Sequence, residues 1–171
     1  MKVTSAQASK MLKKLNDQHS SLLKNESDTC KFNAAVGEDP ESLRPEYDYS
    51  TVQKELNVIE GKIRKLKHAL NIFNSTQVIP EYGMTIDEML IYLPQLTKRV
   101  AKLSQMRQAL PKSRVGYGFG DMSNIIDYVY TNYDIKQVER DCFAAADELA
   151  KAQNVLDYVN ITVEFEVDID M

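Results

Sequence analysis

With 171 residues, 43% of them apolar and 27% charged, the chain has the makeup of a globular protein large enough to bury a core without disulfides or metal. A net charge of −4 argues against a protein given over to nucleic acid, and no apolar run approaches the roughly 18 residues of a membrane span. Cys30 and Cys142 make no metal motif and at most one disulfide, so free thiols and a cytoplasmic location are expected. The first residues, MKVTSAQASKMLKKL, have no apolar stretch of the kind a secretory signal needs.

The first predicted helix covers residues 4–25, with Ala8, Met11, Leu12, Leu15, Leu22 and Leu23 on one face. Gln18 and His19 interrupt that stripe, so its packing there is expected to be looser or partly exposed. Neither His19 nor His68 has a Glu, His or Asp at ligand spacing, and no metal or cofactor is expected. Residues 26–49 hold seven acids against two bases, with two prolines and a glycine, and read as a solvated acidic linker. Within it KFNAAV (31–36) is a candidate short strand.

A second helix over 50–74, opened by Ser50 as N-cap, carries the clearest pattern in the chain. Val52, Leu56, Ile59, Ile63, Leu66, Leu70 and Phe73 follow one another at alternating steps of four and three. That unbroken heptad seam marks a helix laid lengthwise against others. A turn follows, in which Pro80 cannot continue a helix and Gly83 supplies a position free to take positive φ.

Thr85 opens a third helix over 85–110 with the capping box T-I-D-E, in which Glu88 reaches back to the Thr85 amide. Ile86, Met89, Leu93, Leu96, Val100, Leu103 and Leu110 form its seam, and Pro94 should kink it. Residues 111–123 carry three of the six glycines. Gly116-Tyr117-Gly118-Phe119 resembles the core of an RNA-recognition strand, and the spaced glycines mimic a phosphate loop. Neither has the βαβ frame that those sites need. A flexible interhelical loop with two aromatics is the reading kept, with a partner-binding or ligand-covering loop using Tyr117 and Phe119 as the alternative.

Residues 124–132 have the composition of a short strand. A fourth helix over 134–159, capped by Asp134, lines up Ile135, Val138, Cys142, Ala145, Leu149, Ala152, Leu156 and Val159. Cys142 on that seam is a small core residue. Over 160–169, Ile161, Val163, Phe165, Val167 and Ile169 alternate with polar or acidic residues, as in a half-buried strand with an acidic outer face.

The predicted architecture is mainly α: a single domain over 1–171, built as an antiparallel bundle or coiled-coil hairpin of four long helices. The helices at 50–74 and 85–110 would form the hairpin, and a C-terminal strand would pair with 124–132 or across subunits. Such strands left unpaired would invite aggregation, which favours a homo-oligomer. Charge is segregated, the linker at −5 and the tail at −4 leaving the helices at +5. Lys62, Lys65, Lys98 and Arg99 would form a basic belt across the hairpin, able to meet an acidic partner or the chain's own acidic segments.

Over about 50–165 the chain resembles an uncharacterised bacterial family of small helical-hairpin proteins, some of whose members are labelled septicolysin-like. Gly83-Met84-Thr85-Ile86-Asp87-Glu88-Met89-Leu90 matches its G-x-T-L-x-E-A-L segment, with Ile for Leu and Met for Ala. Thr131-Asn132-Tyr133-Asp134-Ile135 echoes the start of its last helix, which ends, as here at Asn160, before a short strand. Leu93-Pro94 stand where the family usually has Arg-Asp, and the GYGFG loop replaces a basic-polar segment. The resemblance implies a helical, oligomeric fold and carries no activity with it.

Three classes of function stay open. The leading one is a structural or protein-interaction homo-oligomer rather than an enzyme, with Lys62, Lys65, Lys98, Arg99, Tyr117, Phe119 and Phe165 as candidate contact residues. A small-ligand binder or enzyme without a recognisable motif is the first alternative. A nucleic-acid or membrane-surface binder using the basic helical surface is the second.

Overall fold

The computed structural model describes residues 1–114 and 127–169. Over these the chain is mainly helical, with small antiparallel strand pairs. Tyr117 and Phe119 lie outside the described residues. The chain divides into two compact units, one of Met1–Gln77 with Tyr158–Met171, the other of Val78–Asp157.

The first unit opens with β1 (Lys2–Thr4), a strand too short for periodicity to reveal. Thr4 ends it and at once caps α1 (Ser5–Thr29). Its hydroxyl accepts the Gln7 amide at 3.3 Å while the Gln7 side chain accepts the Thr4 amide at 3.0 Å. The apolar stripe of α1 is buried at Ala8 and Leu15 but fades beyond Gln18, and Leu23 is exposed. There His19 reaches across to Glu60 at 3.1 Å.

The linker forms no strand at 31–36. Val36 stands in solvent, and the Glu38 amide and carboxylate fold back onto Ala35 to make a turn. One helical turn, α2 (Pro40–Leu43), follows, with Pro in its first turn, where a missing N–H costs nothing. Glu26 of α1 accepts both the Tyr47 hydroxyl at 2.9 Å and the Gln53 side chain at 2.8 Å, pinning the end of the linker. Burial, then the Glu26 carboxylate, push the Tyr47 hydroxyl up to about 12.

α3 (Tyr49–Thr76) is capped by Asp48, not Ser50. The aspartate is outside the helix and accepts the Ser50 amide at 3.0 Å, whereas Ser50 is already helical. Its seam is buried at Leu56, Leu66 and Phe73 and half-buried at Val52, Ile59, Ile63 and Leu70. Within this unit the seam packs along α1, the role that the sequence suggested for the helix at 85–110. Leu66 and Ala8, both fully buried, join Val3, Leu15, Val167 and Ile169 in one core.

α5 (Ile135–Thr162) enters this unit at Tyr158. It outruns the predicted end, since the Val163 amide still bonds the Val159 carbonyl at 3.0 Å. Ile161 is therefore helical and exposed rather than on a strand. Only then does the period change from 3.6 to 2. β6 (Glu164–Glu166) follows, and Val163, Phe165, Val167 and Ile169 turn inward. β6 pairs antiparallel with β1, Lys2 against Glu166, Val3 against Phe165 and Thr4 against Glu164. Its partner in the chain is thus β1, and the expected partner at 124–132 pairs elsewhere, β5 with β4. The unpaired strand that argued for an oligomer is paired within the chain.

The second unit starts with β2 (Val78–Ile79) and β3 (Met84–Thr85), joined by a turn in which Gly83 takes φ +61° and its amide bonds the Ile79 carbonyl at 2.9 Å. Thr85 caps α4 (Ile86–Met106) with the expected box. The Glu88 amide bonds the Thr85 hydroxyl at 3.2 Å and the Glu88 carboxylate accepts the Thr85 amide at 2.7 Å. That accepted amide, and then the hydroxyl, hold the Glu88 carboxyl below its ordinary range. Pro94 lies within α4, and the helix stops at Met106, so Leu110 is exposed and not on the seam. β4 (Lys112–Arg114) pairs antiparallel with β5 (Tyr128–Tyr130), which falls within the strand expected at 124–132. The Thr131 hydroxyl donates to the Leu110 carbonyl at 2.6 Å and the Tyr133 hydroxyl to the Met106 carbonyl at 2.8 Å, tying the pair to the end of α4. Asp134 accepts the Lys136 amide at 2.9 Å at the start of α5. Val138, Cys142, Ala145, Ala152 and Leu156 of that seam are buried.

Candidate functional site

A concavity lies in the first unit, beside β6. One helical stripe of α3 supplies Lys65, His68, Ala69, Ile72, Phe73 and Thr76, residues that recur at alternating steps of three and one. The strand side supplies Phe165, Glu166 and Asp168. The groove they enclose measures about 470 Å³.

Its floor is apolar. Phe73 and Phe165 stack with centroids 4.6 Å apart and planes 18° from parallel. Phe73 is on the α3 seam and buried, Phe165 is half-buried on β6, and both rings line the groove. Ile72, next to it but off the seam, is half exposed. The Thr76 hydroxyl is turned to its own helix, donating to the Ile72 carbonyl at 2.8 Å.

Charge divides between the walls. Lys65 and His68 come from the helix, Glu166 and Asp168 from the strand side. Lys65 Nζ is 3.9 Å from Asp168 Oδ2, but both groups are well exposed, and such a pair is worth little. The walls are therefore charged without being locked together.

The strand wall also carries backbone polarity. The Met1 ammonium donates to the Val167 carbonyl at 2.7 Å and the Val167 amide to the Met1 carbonyl at 2.8 Å. Residues 1 and 167 thus form a hydrogen-bonded pair, and by the alternation of an antiparallel ladder so do Val3 and Phe165. The N–H and C=O groups of Glu164 and Glu166 then point to the opposite edge. Among the described residues no strand pairs with that edge.

Of the contact residues expected from sequence, Lys65 and Phe165 meet in this groove. Lys62 is half-buried on α3 and does not line it. Lys98 and Arg99 are exposed on α4, in the second unit. His68, Ile72, Glu166 and Asp168 were missed as site residues. Ile72 left a signal: an apolar residue out of register with the seam, one position before its last member.

The second unit has a contrasting surface. Lys112 and Arg114 stand opposite Tyr130 and Tyr128 on one face of the β4–β5 pair. Lys112 Nζ sits 3.9 Å from the Tyr128 ring centroid and 5.3 Å from that of Tyr130, so the cation is already shared between two rings. Elsewhere in the unit Tyr82 and Tyr92 lie 6.3 Å apart, with the Tyr92 hydroxyl 3.5 Å from Glu148 Oε1. Burial first, then the Glu148 charge, push the Tyr82 hydroxyl pKa up. Among the described residues no group of three or more His, Cys, Asp or Glu could hold a metal, and no helix is long and apolar enough to cross a membrane.

No family model matches the chain, and no curated protein does. A solved structure that is similar is the crystal structure of a functionally unknown conserved protein from Corynebacterium diphtheriae. It has a TM-score of 0.62 and 18% identity over 97% of this chain and 100% of that one. At that identity the likeness is one of fold.

Proposed function

We propose that this is a non-catalytic helical interaction protein whose partner docks in the groove between α3 and β6. The observation that carries the reading is the combination of an apolar floor with a strand edge that no strand among the described residues covers. Docking surfaces bury an apolar centre inside a polar rim, and this groove has that order, with Ile72 and Phe165 inside and Lys65, His68, Glu166 and Asp168 around them. The resemblance through residues 83–90 supports a helical assembly and supplies no competing activity.

The test is capture of partners from the native host's extract on immobilised protein, wild type against Ile72→Glu. Ile72 is half exposed, so the variant should fold, which its helical circular dichroism will verify. A partner held by wild type and lost from the variant supports the reading; partners held equally by both refute it.

Self-association is the second reading. Tyr158 and Ile161, three residues apart on the last turns of α5, are 66% and 64% exposed and would cover each other's apolar surface in a homo-oligomer. Light scattering at micromolar concentration decides it, a strict monomer being the adverse result.

A further inference from the structure

We infer that the groove takes its partner as an added β-strand: an extended segment in which basic and apolar residues alternate, laid along the free edge of β6. This rests on the reading of the groove as a docking site and names what docks there.

The edge supplies the ladder. Glu164 and Glu166 direct their backbone N–H and C=O groups away from β1, and a strand laid there would satisfy them, as in other cases where a peptide extends a sheet beside a helix. The groove supplies the room. An added strand lies about 4.8 Å from its neighbour, in the space bounded by Ala69, Ile72 and Phe73 of α3. Its side chains alternate. Those on the face of Phe165 meet the apolar floor, and those on the other face stand beside Glu164, Glu166 and Asp168, all exposed carboxylates.

The pattern required is already present on the other edge. β1 places Lys2 opposite Glu166 and Val3 opposite Phe165, a base against an acid and an apolar residue against the ring. The occupant repeats that rule across the second edge. A second copy of β6 fails it. Antiparallel pairing centred on Phe165 sets Glu164 against Glu166 of the other copy twice over, and like charges directly opposite destabilise a sheet.

The probe is a fluorescein-labelled hexapeptide alternating lysine and valine, followed by fluorescence polarisation on the full chain. Two control peptides accompany it, one with glutamate for lysine and one N-methylated at the amides that would enter the ladder. Binding of the first is expected, weakened about tenfold by N-methylation, and absent for the glutamate peptide. The double substitution Glu164→Gln with Glu166→Gln, which leaves both side chains exposed and polar, should weaken binding about fivefold and flatten its salt dependence. No binding of the lysine–valine peptide, or equal binding of its N-methylated form, overturns the inference. So does a dimer that the double Gln variant tightens. If the peptide fails while Ile72→Glu still releases a captured partner, strand addition is rejected and the docking reading survives.

Discussion

β1–β6 and β4–β5 are both antiparallel pairs with strands of three residues, yet they live in different physical worlds. The first turns one face to a core, where Val3 and Val167 are buried and Phe165 stacks on Phe73. The second leaves all six residues exposed and is held by two hydroxyl-to-carbonyl bonds at its base and a lysine over its tyrosines. A two-stranded ribbon alone is marginal in water. Burial of one face is what turns the same short ladder into part of a folded unit.

The contrast can be broken most severely at the core beneath β1–β6. Leu66→Ala should cost about 3 kcal/mol in urea unfolding, since Leu66 is fully buried between α1 and the strand pair. Phe165→Ala should cost about 2 kcal/mol, less because the ring is only half-buried, and a double-mutant cycle with Phe73→Ala should return about 1 kcal/mol of coupling. Thr85→Ala, which removes the cap of α4 in the other unit, should cost about 1 kcal/mol.

The capping box has a pH signature. The Glu88 carboxyl is held below its ordinary range in the folded state by the Thr85 amide, so its contribution is fully present above the ordinary carboxylate pKa. It is lost as pH falls through the depressed value. A Glu88→Gln variant should therefore lose less stability than wild type on acidification from neutral pH, as thermal melts will show. The smallest effect belongs to the exposed ribbon: Val129→Thr should change stability by less than about 0.5 kcal/mol. A value near that of Phe165→Ala would erase the distinction between the two sheets.

The helices were legible because their signals are local. Seams at 50–74 and 134–159, the Thr85 box and the positive-φ position at Gly83 all depend on neighbours within a few residues. The groove was legible only in part. Lys65 and Phe165 carried charge and aromatic area that drew notice, but nothing near residue 68 or 72 shows that residues 165–168 lie alongside them. The end of α5 is not legible either: Ile161 fits the strand's alternation, while the helix continues past it by the backbone bond from Val163 to Val159.

What the sequence determined by itself is therefore the set of helices, their buried faces and most of their caps, because a helix closes its hydrogen bonds four residues away. What only the tertiary structure decided is which strands pair. Lys2 and Glu166 are distant in the chain, the edge that each strand chooses depends on a core it must cover, and three-residue strands carry too little pattern to announce it. From that pairing follow the free edge of β6 and the groove beside it, where an apolar floor lies next to a strand edge that no strand among the described residues covers.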